Sequence, residues 1–122
     1  MSIVLIMGGK PSLGTELTSA LSEAGFGVTS ALSYFDGMWR VSGSQPDLVI
    51  LNVESSSSDG WEVCQWLTQT FGTPVIILGR DTSDDVWMKA VQAGADCYLK
   101  IPLSRAELTA RVKSILRRYK KD

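Results

Sequence analysis

The chain of 122 residues contains no histidine. That excludes Ser-His and Cys-His nucleophilic sites and any His-ligated metal. It has two cysteines, Cys64 and Cys97, far apart and without a C-x-x-C spacing. Two scattered cysteines read as reduced core thiols in a cytoplasmic protein. Long apolar runs are absent too. Nothing approaches the roughly 20 residues of a membrane span, and MSIVLIMGG has neither the charged n-region nor the long h-region of a signal peptide. The expected setting is the cytoplasm, with no membrane contact.

Net charge is near zero but unevenly spread. Residues 1–103 hold five Lys/Arg against eleven Asp/Glu, a net of −6; residues 104–122 hold seven against two, a net of +5. The basic end is either a solvated helix face, with cations favoured at a helix C-terminus, or an electrostatic docking surface at the start of a linker. The length suits one domain with one core, spanning 1–122, with a basic linker beginning near residue 117.

What is present is an alternation. Ser2–Met7 is a short, unbroken apolar run followed by Gly-Gly. That pattern marks a strand buried on both faces. Pro11-Ser12 opens a helix whose apolar stripe is Leu13, Leu17, Ala20, Leu21 and Ala24, and Gly25 stops it. Phe26–Ala31 is a weaker strand, and Asp36–Ser44 a short helix with poor support. Leu48–Val53 is the third strand, followed by the polar loop Ser55–Ser58. Asp59 and Glu62 have the D-x-x-E spacing of a capped helix, with Val63 and Leu67 facing the core. Pro74–Leu78, Asp84–Ala93 and Ala95–Lys100 supply strand, helix and strand. Ser104 and Glu107 form a capping box for a last helix lined by Leu108, Val112, Ile115 and Tyr119. Five such repeats with unbroken apolar strands specify a parallel sheet wrapped by helices on both faces.

Several stretches together resemble a known family. PSL after the first strand, EAGFGV, PDLVIL, DGWEV, TPVIIL, AGAD-Cys-YL and ELTARVKSILRR are similar, in order and spacing, to the receiver domains of bacterial response regulators. The region Met38–Gln45 is short against the family pattern, and one residue is missing near Gly79-Arg80. The resemblance implies a CheY-like, flavodoxin-like (βα)5 three-layer sandwich with strand order 2-1-3-4-5. It also places the chemistry outside the carboxyl ends of the strands.

By that resemblance, five positions depart from the family. The phosphoacceptor Asp is Asn52. The acidic pair that holds Mg²⁺ matches Gly8 and Gly9. The strand-four Thr/Ser matches Gly79. The Lys before the last Pro matches Ile101, with Lys100 displaced by one and so turned to the other face. Tyr98 keeps the aromatic switch position. Phosphoryl transfer needs a nucleophilic oxygen and cations to neutralise developing charge, and Mg²⁺ favours carboxylates. An amide and two glycines supply neither. The implied reading is a degenerate receiver, or pseudo-receiver. It is not an enzyme, holds no cofactor or metal, and signals through protein contacts without Asp phosphorylation.

Other sites compete with that reading. Gly8-Gly9-x-x-x-x-Gly14 precedes a helix and could cradle a phosphate, although it fits neither GxGxxG nor GxxxxGK[ST]. The alternative functions are therefore a small-ligand domain using that loop, or a phosphorelay receiver with a relocated acceptor at Asp59, Glu54 or Ser55–Ser58. The flavodoxin-like cobalamin domains use a His as cobalt ligand, which this chain lacks. Trp39, Trp61, Trp66 and Trp87 fall in or beside the second, third and fourth helices. Trp66 lies beside core Leu67 and Trp87 beside core Met88, so both are expected to point partly outward as anchors of a partner surface. The expected partner is a protein or a fused output domain, with no direct nucleic-acid contact by this domain. A homodimer through the helix four–strand five–helix five face is the expected self-association.

Overall fold

The structure is a computed structural model that describes residues 1–53 and 59–119. Ten elements alternate: β1 (Ile3–Met7), α1 (Pro11–Glu23), β2 (Gly27–Ala31), α2 (Tyr34–Gly43), β3 (Leu48–Asn52), α3 (Gly60–Phe71), β4 (Val75–Gly79), α4 (Asp84–Ala93), β5 (Cys97–Lys100) and α5 (Arg105–Tyr119). The strands form one parallel sheet in the order β2-β1-β3-β4-β5.

Every residue of β3 and β4 is buried. These central strands carry side chains to both helical layers, so their sequences run apolar without alternation. One face, under α2, α3 and α4, packs Leu5, Met7, Val49, Leu51, Val75 and Ile77 around Trp61, Cys64 and Leu67. The opposite face, under α1 and α5, packs Val4, Ile6, Ile50, Ile76 and Leu78 around Leu21, Leu108 and Val112. β2 is an edge strand with Thr29 and Ser30 exposed, which explains its weak apolar signal.

Side-chain oxygens set several helix starts. The Ser33, Ser83 and Ser104 hydroxyls accept the Asp36, Val86 and Glu107 backbone N–H groups at 3.1, 3.4 and 3.0 Å. These bonds satisfy donors that have no partner inside the helix. With Ser33 as its N-cap, α2 begins at Tyr34, two residues before the start read from sequence. Asp59 behaves differently from its expected role. It stands at the N-cap of α3 in helical conformation and makes no side-chain cap bond. A capping side chain works from extended backbone, which Asp59 lacks.

Two further expectations need correction. Met88 is 56 % exposed and lies outside the core. Tyr119 is half-exposed; its hydroxyl donates to the Asp96 carboxylate at 2.6 Å. The other Asp96 oxygen accepts the Val75 N–H at 2.9 Å. Asp96 thus ties the start of β4 to the end of α5.

Candidate functional site

The carboxyl ends of β1, β3 and β4 bring together the residues singled out from sequence. Asn52 ends β3, Gly8 and Gly9 follow β1, and Gly79 ends β4 beside Lys100 of β5. The Ile101 N–H donates to the Gly79 carbonyl at 2.9 Å, and a cis peptide bond joins Ile101 to Pro102.

Asn52 is 7 % exposed and is wedged against the Gly8-Gly9 turn. A Cβ on Gly9 would lie 2.7 Å from Asn52 Nδ2 and 3.1 Å from its Cγ; one on Gly8 would lie 2.9 Å from Tyr34 Cε1. Both glycines hold positive φ, +77° and +85°, where side-chain-bearing residues are strained. The glycines therefore allow a close approach of backbone to amide. The Tyr34 hydroxyl donates to the Asn52 carbonyl at 2.6 Å and closes the α2 side of the turn.

Among the described residues, this turn lacks the carboxylates that a divalent cation favours. Hard cations need several oxygen ligands, preferably carboxylates. The turn offers none, and the Asn52 backbone oxygen already accepts from Tyr34. Among the described residues, no group of three His, Cys, Asp or Glu is arranged to hold a metal ion. Lys100 is exposed while Ile101 is buried against the α1 and α5 layer.

Tyr98 is 5 % exposed and points into the layer beneath α3 and α4. Its hydroxyl donates to the Asp81 backbone carbonyl. It covers Gly79: a Cβ there would meet the Tyr98 hydroxyl, and Tyr98 Cζ and the Val53 carbonyl at 3.1 Å. Burial, then the Asp81 carboxylate, holds the phenol above its ordinary pKa. The ring also meets Trp87 edge-on, with centroids 5.4 Å apart.

The tryptophans separate into distinct environments. Trp61 is buried and Trp66 half-buried, its ring against Phe71 at 5.2 Å and the core beneath. Trp66 thus points outward only in part. Trp87 is 48 % exposed and shares α4 with exposed Val91. The most open aromatics are Phe35 and Trp39 on α2, 71 % and 67 % exposed, in edge contact at 6.5 Å. Their i, i+4 spacing was the available signal. Asp59 is exposed, while Glu54 and Ser55–Ser58 lie outside the described residues.

The family model for the response regulator receiver domain matches residues 4–113. The chain belongs to that family. The receiver superposes on a two-component response regulator from Clostridium difficile with a TM-score of 0.91 at 27 % identity, covering 99 % of this chain and 100 % of that one. It superposes on the Francisella response regulator 1452 receiver domain with a TM-score of 0.89 at 25 % identity, covering 98 % and 100 %. In sequence it is 38 % identical over 116 residues to the transcriptional activator protein IrlR of Burkholderia pseudomallei, which spans 94 % of this chain and 50 % of that protein. It is 34 % identical over 116 residues to the transcriptional regulatory protein CusR of Escherichia coli, 94 % and 51 %. The receiver spans about half the length of these curated relatives. No helix among the described residues is long and apolar enough to cross a membrane.

Proposed function

We propose that this receiver transmits its signal through protein contacts, without phosphorylation at the β3 end. The observation that carries this reading is the packing of Asn52 against Gly9. The position that would be the acceptor is an amide with a delocalised lone pair, buried against a positive-φ glycine that cannot be exchanged for a carboxylate without strain. The pocket is degenerate as a set: Gly8 and Gly9 supply no acids, Gly79 no hydroxyl and Ile101 no ammonium. Losing the acids and the Lys together avoids a buried, unpaired charge.

Tyr98 gives this reading its physical consequence. With no side chain on Gly79, the phenol ring occupies the space over β4 and keeps one inward rotamer. A ligand shifts an equilibrium only through differential affinity for two states. This pocket binds no phosphoryl group, so the contact surface is constant. The receiver is then non-catalytic and cofactor-free, works in the cytoplasm, and engages a protein partner or fused output domain while leaving nucleic acid to others. Self-association through α4, β5 and α5 fits the exposed Trp87 and Val91 on that face.

The test is a titration of Mg²⁺ followed by amide NMR shifts. The expected result is no saturable, localised change at Gly8, Gly9 or Asn52 at low-millimolar metal. Localised saturation there would overturn the reading.

A further inference from the structure

A cavity of about 530 Å³ lies between α1 and the start of α5, and Asn52, Val53, Arg80 and Ile101 also line it. Gly8, Gly9, Gly79 and Tyr98 do not line it, whereas Asn52 and Ile101 do, so it adjoins the turn that packs Asn52. Its volume falls within the roughly 300–1,000 Å³ of small-molecule sites. Leu13 and Leu17 of α1 face Leu103 and Leu108 across it. Leu13 and Leu103 are half-buried, and Leu17 and Leu108 belong to the buried core beneath them.

The charges around it are unusual for this molecule. Residues 1–103 are strongly acidic, yet two of their five cations, Lys10 and Arg80, line this cavity, and among the described residues Glu16 is the one acid of that stretch that does. Arg105 adds a third cation but is engaged: it donates to Ser19 Oγ at 2.6 Å and meets Glu23 at 3.8 Å. Arg105 thus ties α5 to α1 along the cavity. Lys10 and Arg80 are exposed and form no ion pair among the described residues. Lys10 also stands at the N-cap of α1, whose first turn contains no acid. The helix dipole therefore adds to the positive potential at that end.

We infer that this cavity binds a small amphipathic anion. Lys10 and Arg80 take its carboxylate or phosphoryl head, and Leu13, Leu17, Leu103 and Leu108 take its apolar tail. Guanidinium and ammonium groups recognise either head by charge-assisted hydrogen bonds, and the tail gains by leaving water. The Gly8-Gly9 turn has no part in this site. The inference stands on the cavity, whose lining includes Asn52 at the end of β3, and it concerns reversible binding rather than covalent phosphoryl transfer.

The experiment uses the fluorescent anion 8-anilinonaphthalene-1-sulfonate as reporter, with octanoate, octyl phosphate and neutral octanol as competitors. Amide NMR shifts locate the bound probe. Octanoate or octyl phosphate should displace the reporter saturably, with shifts confined to Leu13, Leu17, Leu103 and Leu108. The stronger of the two identifies the head. Octanol should compete at least about tenfold more weakly. The surface double variant Lys10→Gln/Arg80→Gln should lower affinity for the anion about tenfold and leave octanol unchanged. Leu103→Trp should fill the cavity and abolish binding while far-UV circular dichroism is retained; if that variant unfolds, the surface double variant still decides. Equal competition by octanol, shifts centred on Trp39 or Trp87, or the absence of saturable binding would each overturn the inference.

Discussion

The two helical layers over this sheet are built from different materials. The α1 and α5 side buries aliphatic side chains almost exclusively; its partners at the margin include one aromatic, Phe26. The α2, α3 and α4 side buries Trp61 and Tyr98, draws in Tyr34, Trp66 and Phe71, and leaves Phe35, Trp39, Trp87, Met88 and Val91 open. Aliphatic side chains close a layer by interdigitation. Large aromatics close it only in part and leave edges that another surface can cover. One layer is therefore finished within the domain, apart from a charged cavity. The other has an apolar exterior suited to a protein partner.

Truncations deep in each layer test whether both are cores. Trp61→Ala should cost about 3–5 kcal/mol and Leu108→Ala about 2–5 kcal/mol. Urea unfolding measures both. A loss under about 1 kcal/mol at either site would show that its layer is loosely packed.

Gly79→Ala tests the inward lock of Tyr98. The added methyl group meets the ring and the Val53 carbonyl, so the ring must leave. Overpacking of this kind costs about 1–3 kcal/mol. Because Trp87 rests on Tyr98, its emission should shift with the ring. Unchanged stability and emission would mean that Tyr98 does not fill that space.

The outer aromatics should grade by burial. Trp66→Ala and Trp87→Ala each lose a ring pair, about 0.5–1.5 kcal/mol before any burial is counted. Phe35→Ala and Trp39→Ala should stay within about 0.5 kcal/mol of the parent. Partner capture should weaken for Trp87→Ala, since truncating a binding hot spot costs about 2 kcal/mol or more in affinity. A large stability loss for Trp39→Ala would place α2's outer face in the core.

A smaller effect concerns Cys64. Burial, and then the nearby Asp96 carboxylate, pushes its pKa up to about 12 from 9.0. The folded value exceeds the unfolded one. Its contribution to stability is thus complete below pH 9.0 and declines as pH rises from there toward about 12. At neutral pH the native thiol should resist iodoacetamide and react only after unfolding. Rapid native labelling would contradict its burial.

Much of this architecture was readable before any coordinates. The parallel, helix-wrapped sheet followed from unbroken apolar runs such as Leu48–Asn52, whose burial on both faces leaves no alternation to misread; strand order came from the resemblance to receivers. Edges were less legible. β2 borders the sheet, and α2 starts at a Ser33 cap hidden in the run Leu-Ser-Tyr-Phe. Asp59 had the spacing of a cap, but its helical backbone denies that geometry. Met88 looked apolar and proved exposed, because a residue type gives no rotation about a helix axis. At the β3 end, the resemblance to receivers marked Asn52, Gly8 and Gly9 as standing where carboxylates are expected. The crowding behind them, with Gly9 against Asn52 and Gly79 under Tyr98, depends on long-range approach that spacing does not encode.

The central claim is that the β3 end accepts no phosphoryl group. The most direct measurement is intact mass after incubation with acetyl phosphate and Mg²⁺, for the parent chain and for Asn52→Asp. The account predicts no phosphoryl adduct on the parent. It also predicts none at appreciable yield on Asn52→Asp, because the nucleophile returns without acids at Gly8 and Gly9 or an ammonium at Ile101. A base-labile, acid-stable adduct on Asn52→Asp at good yield, or any such adduct on the parent, would contradict it.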